Sequence, residues 1–138
     1  MNIHKEVLAG IPVEAPAHPL QADLLRFRPQ IEAALAYSNE GHTFDSLMNE
    51  VMLGALYFAF NDTSCALLER VMGPLDVRVH VVLGAGTLQG LLQLYDVIAP
   101  KVKALGATKM TILGRPGFEK ALKQQGWVTP KVYMERVL

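Results

Sequence analysis

The sequence predicts a mixed α/β domain: a sheet with an antiparallel meander, a strand-helix-strand crossover to a parallel strand, and flanking helices. Three observations carry this. Three apolar runs of strand length, at 55–60, 65–72 and 77–83, follow one another across the turn-forming clusters Asn61-Asp62-Thr63-Ser64 and Gly73-Pro74-Leu75-Asp76. A stripe at helical spacing comes next, and a short apolar run at 109–113 follows it. Tight turns join antiparallel neighbours, whereas a parallel pair needs a crossover of a dozen or more residues.

Taken in order, the first twenty residues carry Pro12, Pro16 and Pro19 among Ala, Val and His. Proline favours extended backbone and removes donors, so residues 1–28 read as an extended arm and residues 29–138 as one domain. The arm is either a loosely attached tail or a segment docked on a partner protein. From Pro29, a proline in the tolerated first turn, Ile31, Ala34 and Leu35 line one side of a helix that the polar run 38–41 ends. Thr43 is placed to cap a second helix, in which Phe44, Leu47, Met48, Val51 and Met52 recur at helical spacing before Gly54.

In the third strand Val77, Val79 and Val81 face one way and Arg78 and His80 the other. His80 there is a sheet-surface residue or, less simply, a base. After Gly84-Ala85-Gly86, the positions Leu88, Leu91, Leu92, Tyr95, Ile98, Ala99, Val102 and Leu105 trace the longest helix, with Pro100 inside it predicting a bend. Residues 109–113 read as a buried strand, 116–125 as a short helix, and 127–138 as an extended segment broken by Pro130.

A chain of 138 residues in which Lys and Arg (13) balance Asp and Glu (13) has no strong positive field to gather phosphate backbones or anionic lipid, so nucleic-acid binding is not expected. The single cysteine, Cys65, has no internal disulfide partner, and no Cys/His spacing suggests a metal site. The longest apolar stretch, 51–60, falls far short of the ~20 residues of a membrane span. The first residues lack the apolar core of a signal peptide, and a soluble, unexported protein is expected.

The order of elements, with the strand 77–83, the loop Gly84-Ala85-Gly86-Thr87 and the helix 88–105, resembles the Gcn5-related N-acetyltransferase family over residues 31–138. The run Gly114-Arg115-Pro116-Gly117-Phe118-Glu119-Lys120-Ala121-Leu122, followed by Gly126-Trp127, is similar to that family's later helix and its step into the last strands. The same wording is similar to small acetyltransferase-like proteins of tailed bacteriophages, some of which lie among genes for virion assembly.

The resemblance implies acetyl-coenzyme A as cofactor if the protein is active, its pyrophosphate received by backbone amides of Gly84, Ala85, Gly86 and Thr87 at the positive end of the helix. Arg115 would hold a phosphate or a partner's carboxylate, or cap its turn. Without a ligand, Gly84-Ala85-Gly86 is a plain strand-to-helix turn. A dinucleotide motif fits worse, because Gly90 comes one residue late. The family's pattern begins with Gln or Arg three residues before the first glycine, where this chain has Val81, and often has tyrosine where this chain has Leu122.

Glu69, which interrupts the second apolar strand, is the candidate proton acceptor, or else a solvent-face residue near Arg70 or Arg78. Tyr133 is the candidate acid for the departing thiolate, or else a packing residue. Retained scaffold beside replaced reactive positions points to a phage-encoded acetyltransferase-like protein, non-catalytic or vestigial. It would act among protein partners as a virion, assembly or host-interaction component, in the host cytoplasm or the virion. The alternative is an acetyl-coenzyme A dependent N-acetyltransferase.

Overall fold

The computed structural model describes residues 2–3, 19–37, 41–114, 116–131 and 134–138. Among these residues five strands form one sheet in the order β1 (Asn2–Ile3), β2 (Tyr57–Phe60), β3 (Ser64–Met72), β4 (Val77–Gly86) and β5 (Lys109–Ile112). The β1-β2, β2-β3 and β3-β4 pairs are antiparallel, while β4 and β5 are parallel. The meander and the crossover are thus as the sequence predicts. The helices are α1 (Gln21–Arg26), α2 (Arg28–Leu35), α3 (Phe44–Met52), α4 (Leu88–Ala104) and α5 (Glu119–Lys123), the last preceded by a 3-10 turn at Pro116–Phe118.

Period-two alternation divides the sheet between two cores. Phe58, Phe60, Cys65 and Leu67 point to one face, where Leu20, Leu24, Phe27, Ile31, Phe44, Leu47 and Val51 of the N-terminal helices cover them. Phe27 meets Phe58 edge-on, with ring centroids 6.3 Å apart, and Phe58 stacks on Phe60 at 5.2 Å. Ala59, Ala66 and Leu68 point to the other face, against Leu91, Leu94, Tyr95, Ile98 and Val102 of α4. Small residues recur here because the helix lies close on the sheet.

The two strands β3 and β4 are not in simple register. Leu67 is opposite Leu83 but Leu68 is opposite Val81, so Val82 is an extra residue and β4 carries a bulge. The bulge changes the face that later residues meet. Val79 and Val81 belong to the α4 core, whereas Leu83 and Ala85, which follow at the same spacing, belong to the other one.

Helix starts follow local chemistry. The Thr43 side chain accepts from the Ser46 amide (3.0 Å) while the Ser46 hydroxyl accepts from the Thr43 amide (2.9 Å), a reciprocal cap on α3. At the other end Gly54, with φ +78°, takes the left-handed conformation that leaves the helix. Pro100 stands inside α4, which continues past it to Ala104.

Two expectations are corrected. Residues 21–26 are not extended but helical, because Leu20, Leu24 and Phe27 form a stripe buried in the first core that outweighs the nearby prolines. Residues 4–18 of the expected arm lie outside the described residues. In the segment 127–138 no strand occurs among the described residues. Trp127 packs on Tyr95 at 5.8 Å, and the described residues beyond it are exposed. Among the described residues no helix is long and apolar enough to cross a membrane.

Candidate functional site

The crossover creates one chemically distinctive corner, where β4 ends and α4 begins. Sequence reasoning places a loop over Gly84-Ala85-Gly86, but the strand runs through it. Gly84, Ala85 and Gly86 pair with Ala66, Cys65 and Ser64 of β3, and Thr87 alone separates the strand from the helix. Glycine signals a turn in a sequence because it lacks a side chain, and the same property also lets other atoms approach a strand closely.

Close approach is what each glycine at this corner provides. A Cβ on Gly84 would lie 2.5 Å from the Tyr95 hydroxyl and 3.2 Å from Leu91 Cδ2. A Cβ on Gly86, whose φ is +107°, would run into the Thr63 carbonyl and Ser64. One on Gly90 would collide with the hydroxyls of Thr63 and Ser64. The chain's own atoms occupy all three spaces.

A hydrogen-bond network joins the β2-β3 turn to the start of α4. The Asn61 carboxamide oxygen accepts from the amides of Thr63 (3.1 Å) and Ser64 (2.9 Å), and its nitrogen donates to the Gly90 carbonyl (2.9 Å). The fully buried Ser64 hydroxyl donates to the Thr87 carbonyl at 3.0 Å. Thr87 caps α4 by accepting from the Gly90 amide at 3.1 Å, and its hydroxyl lies 3.1 Å from that of Thr63. Sequence reasoning saw Asn61, Thr63 and Ser64 only as turn formers. The signal for more was the Asn and hydroxyl run itself, whose side chains bond backbone groups.

The parallel pairing of β4 with β5 stops at Val81 and Ile112, while β4 continues to Gly86. β5 ends there, so β4 runs on toward Gly86 without β5 beside it. Val81, at the position where the resembled family has Gln or Arg, is buried in the α4 core, and so is Leu122, at the position where that family often has tyrosine. Of two surface concavities, the first lies away from this corner and the second adjoins it through Asn61 and Thr63. One of about 60 Å³ is lined by residues including Tyr57, Arg70, Val79 and Val102, and one of about 400 Å³ by Asn61, Asp62, Thr63, Gln93 and Val97.

The other predicted site residues are not gathered at this corner. Glu69 is exposed on β3 opposite His80, five residues along the strand from Ser64, a rise of about 17 Å. Arg115 and Tyr133 lie outside the described residues. His80 is half-buried, and its Nδ1 sits 2.8 Å from the Thr111 hydroxyl across the parallel pair. Among the described residues no group of three or more His, Cys, Asp or Glu side chains is placed to hold a metal ion.

Two buried ionisable groups sit behind the corner. Burial pushes the Cys65 thiol up to about 12, a rise that Arg26 partly offsets. Burial, and secondarily the nearness of Cys65, raises the Tyr95 phenol as well. Both stay protonated near neutral pH, so Cys65 is a poor nucleophile.

No protein-family description and no curated protein matches the sequence. Solved structures do match in three dimensions. A Thermus thermophilus protein aligns with a TM-score of 0.63 at 20% identity, covering 90% of this chain and 95% of that one. Glucosamine-6-phosphate N-acetyltransferase from Arabidopsis thaliana aligns with a TM-score of 0.62 at 11% identity, covering 87% and 95%. Ribosomal-protein-alanine N-acetyltransferase from Brucella melitensis aligns with a TM-score of 0.55 at 18% identity, covering 84% and 94%. The chain thus has the fold of the Gcn5-related N-acetyltransferases. At these identities the likeness establishes architecture, and chemistry has to be argued from the site.

Proposed function

We propose that this chain is an acetyltransferase-fold protein whose role is binding to other proteins, the acetyl-transfer machinery having been replaced by internal packing. The observation that carries the reading is the fate of Gly84, Gly86 and Gly90. A phosphate cradle needs glycines whose missing side chains leave room for a ligand. Here the Tyr95 hydroxyl, the Thr63 carbonyl and the Thr63 and Ser64 hydroxyls take that room.

Further support comes from the short connection. With β4 paired to β3 as far as Gly86 and only Thr87 before α4, there is no loop to wrap a pyrophosphate, and Thr87 already takes the Gly90 amide. The residues at this corner do not fit acetyl-coenzyme A. The likeness of the 114–122 run and Gly126-Trp127 to small tailed-phage proteins extends the reading. It suggests a phage-encoded virion, assembly or host-interaction component, found in the host cytoplasm or the particle.

Thermal unfolding with and without acetyl-coenzyme A tests the proposal. A single site filled at 100 times its dissociation constant would stabilise the fold by about 2.7 kcal/mol. We expect no change at millimolar ligand, and a saturable rise would overturn the binding-protein reading. Mass spectrometry of purified particles tests the virion extension separately.

A second reading, an acetyl-coenzyme A dependent N-acetyltransferase, is favoured by the end of β5 at Ile112, beyond which β4 continues without it, and by the acetyltransferase names of the structural neighbours. Under it Glu69 or an ordered water would take the acceptor's proton. The same titration separates the two.

A further inference from the structure

At the end of β4 opposite residues 84–86, α4 leaves part of the sheet uncovered. The helix stops at Ala104, Gly106 takes the left-handed turn with φ +100°, and the Ala107 amide closes on the Val102 carbonyl at 3.0 Å. Ala66 and Leu68 of β3 are buried beneath the helix, but Arg70 and Met72, which follow on the same face, are exposed. Met72 is 70% exposed opposite Val77, Leu75 in the turn between them is 99% exposed, and Leu105 at the helix end is 52% exposed. Turns are ordinarily polar, and adjoining exposed apolar side chains mark a contact surface.

Beside Val77 lies the recess of about 60 Å³, lined by buried Val79, Val102 and Ala107 and by the more exposed Tyr57, Arg70 and Leu105. Its walls are fixed. The Gly73 amide bonds the Asp76 carbonyl at 2.8 Å, and the Asp76 carboxylate is held by Lys109 at 3.3 Å. Arg70 makes no ion pair among the described residues, and Glu69 beside it points to the opposite face of the strand. Lys101 and Lys103 occupy the last turn of α4, whose final carbonyls already accept from the amides of Leu105, Gly106 and Ala107.

The recess is thus apolar inside and cationic at its rim, and that combination decides between occupants. A second copy of the chain would set Arg70 against the same cationic rim. A nucleic-acid backbone would meet the charge and leave the apolar floor unfilled. An acidic segment of a partner protein satisfies both halves.

We propose that this recess docks a partner segment in which an aliphatic side chain stands next to Asp or Glu. The aliphatic group fills the space against Val79, Val102 and Ala107, and the carboxylate takes the Arg70 guanidinium, which can offer two parallel N–H bonds. Met72, Leu75 and Leu105 supply the apolar border around it. The surface serves the binding-protein reading and rests on it for its role, yet the two fail separately. Binding of acetyl-coenzyme A at the other end of β4 would overturn that reading and leave the recess as it is.

Amide NMR of the full chain, titrated with the blocked tripeptide acetyl-Glu-Leu-Glu-amide, tests the docking. Saturable shifts are expected at residues 70, 77, 105 and 107 at millimolar peptide. Acetyl-Gln-Leu-Gln-amide and acetyl-Glu-Ala-Glu-amide should each bind about tenfold more weakly, the first for want of charge and the second for want of the aliphatic group. Arg70→Glu, at an exposed position, should melt with the wild type and lose the charged peptide, while Arg70→Lys should keep part of the binding. Absence of saturable shifts at these residues would overturn the proposal. Equal binding of the Glu and Gln peptides, or binding unchanged in Arg70→Glu, would overturn it as well.

Discussion

The hydroxyl of Tyr95, on α4, occupies the space beside Gly84, on β4, that a side chain at that position would fill. Gly84→Ala should therefore destabilise the fold by about 1–3 kcal/mol, the usual cost of overpacking. Tyr95→Phe in the same chain removes the atom that meets the new methyl at 2.5 Å, leaving Leu91 as the tight contact. Urea unfolding of the two single variants and the double should reveal a coupling in which the double costs less than the sum.

Gly90 lies in the first turn of α4, where alanine would ordinarily improve a helix by about 1 kcal/mol. Contact with the hydroxyls of Thr63 and Ser64 reverses the sign, so Gly90→Ala should lower the melting temperature. Asn61→Ala should also destabilise, by about 1–3 kcal/mol, since it strands two amides and the Gly90 carbonyl.

At α3 the cap is local and separable. Thr43→Ala should cost about 1 kcal/mol, and Thr43→Ser should retain most of the stability because the hydroxyl still reaches the Ser46 amide. Chemical unfolding of the two variants distinguishes the hydroxyl from the rest of the side chain.

Cys65 predicts the alkaline behaviour. Its thiol titrates near 9.0 when free and near 12 in the fold, so the folded state disfavours the thiolate. The associated stability is complete below pH 9 and is lost as pH rises toward 12. Tyr95, raised in the same direction, adds to the loss. Stability measured across this range should fall, and with a shallower slope in Cys65→Ala. Iodoacetamide should modify the native protein slowly at pH 8 and the unfolded chain fast; equal rates would contradict the burial.

The meander and the crossover were legible because turn clusters and a 3.6-residue stripe are local signals. Thr43 and Thr87 were legible as caps for the same reason. Residues 21–26 were not, although Leu20, Leu24 and Phe27 already had helical spacing; three prolines upstream suggested extension where burial decided otherwise. Gly84 to Gly86 misled for a different reason. Whether a glycine serves a turn, a ligand or a neighbouring side chain depends on Tyr95, Thr63 and Ser64, which no local window contains. For the last segment the strand pattern was visible, but no strand occurs there among the described residues.

The extra residue at Val82 divides one continuous strand between two apolar interiors, with Val79 and Val81 serving one and Leu83 and Ala85 the other. Loosening the helices on either side loosens the seam that both share, so the domain should come apart in one cooperative step, with no half-folded species between.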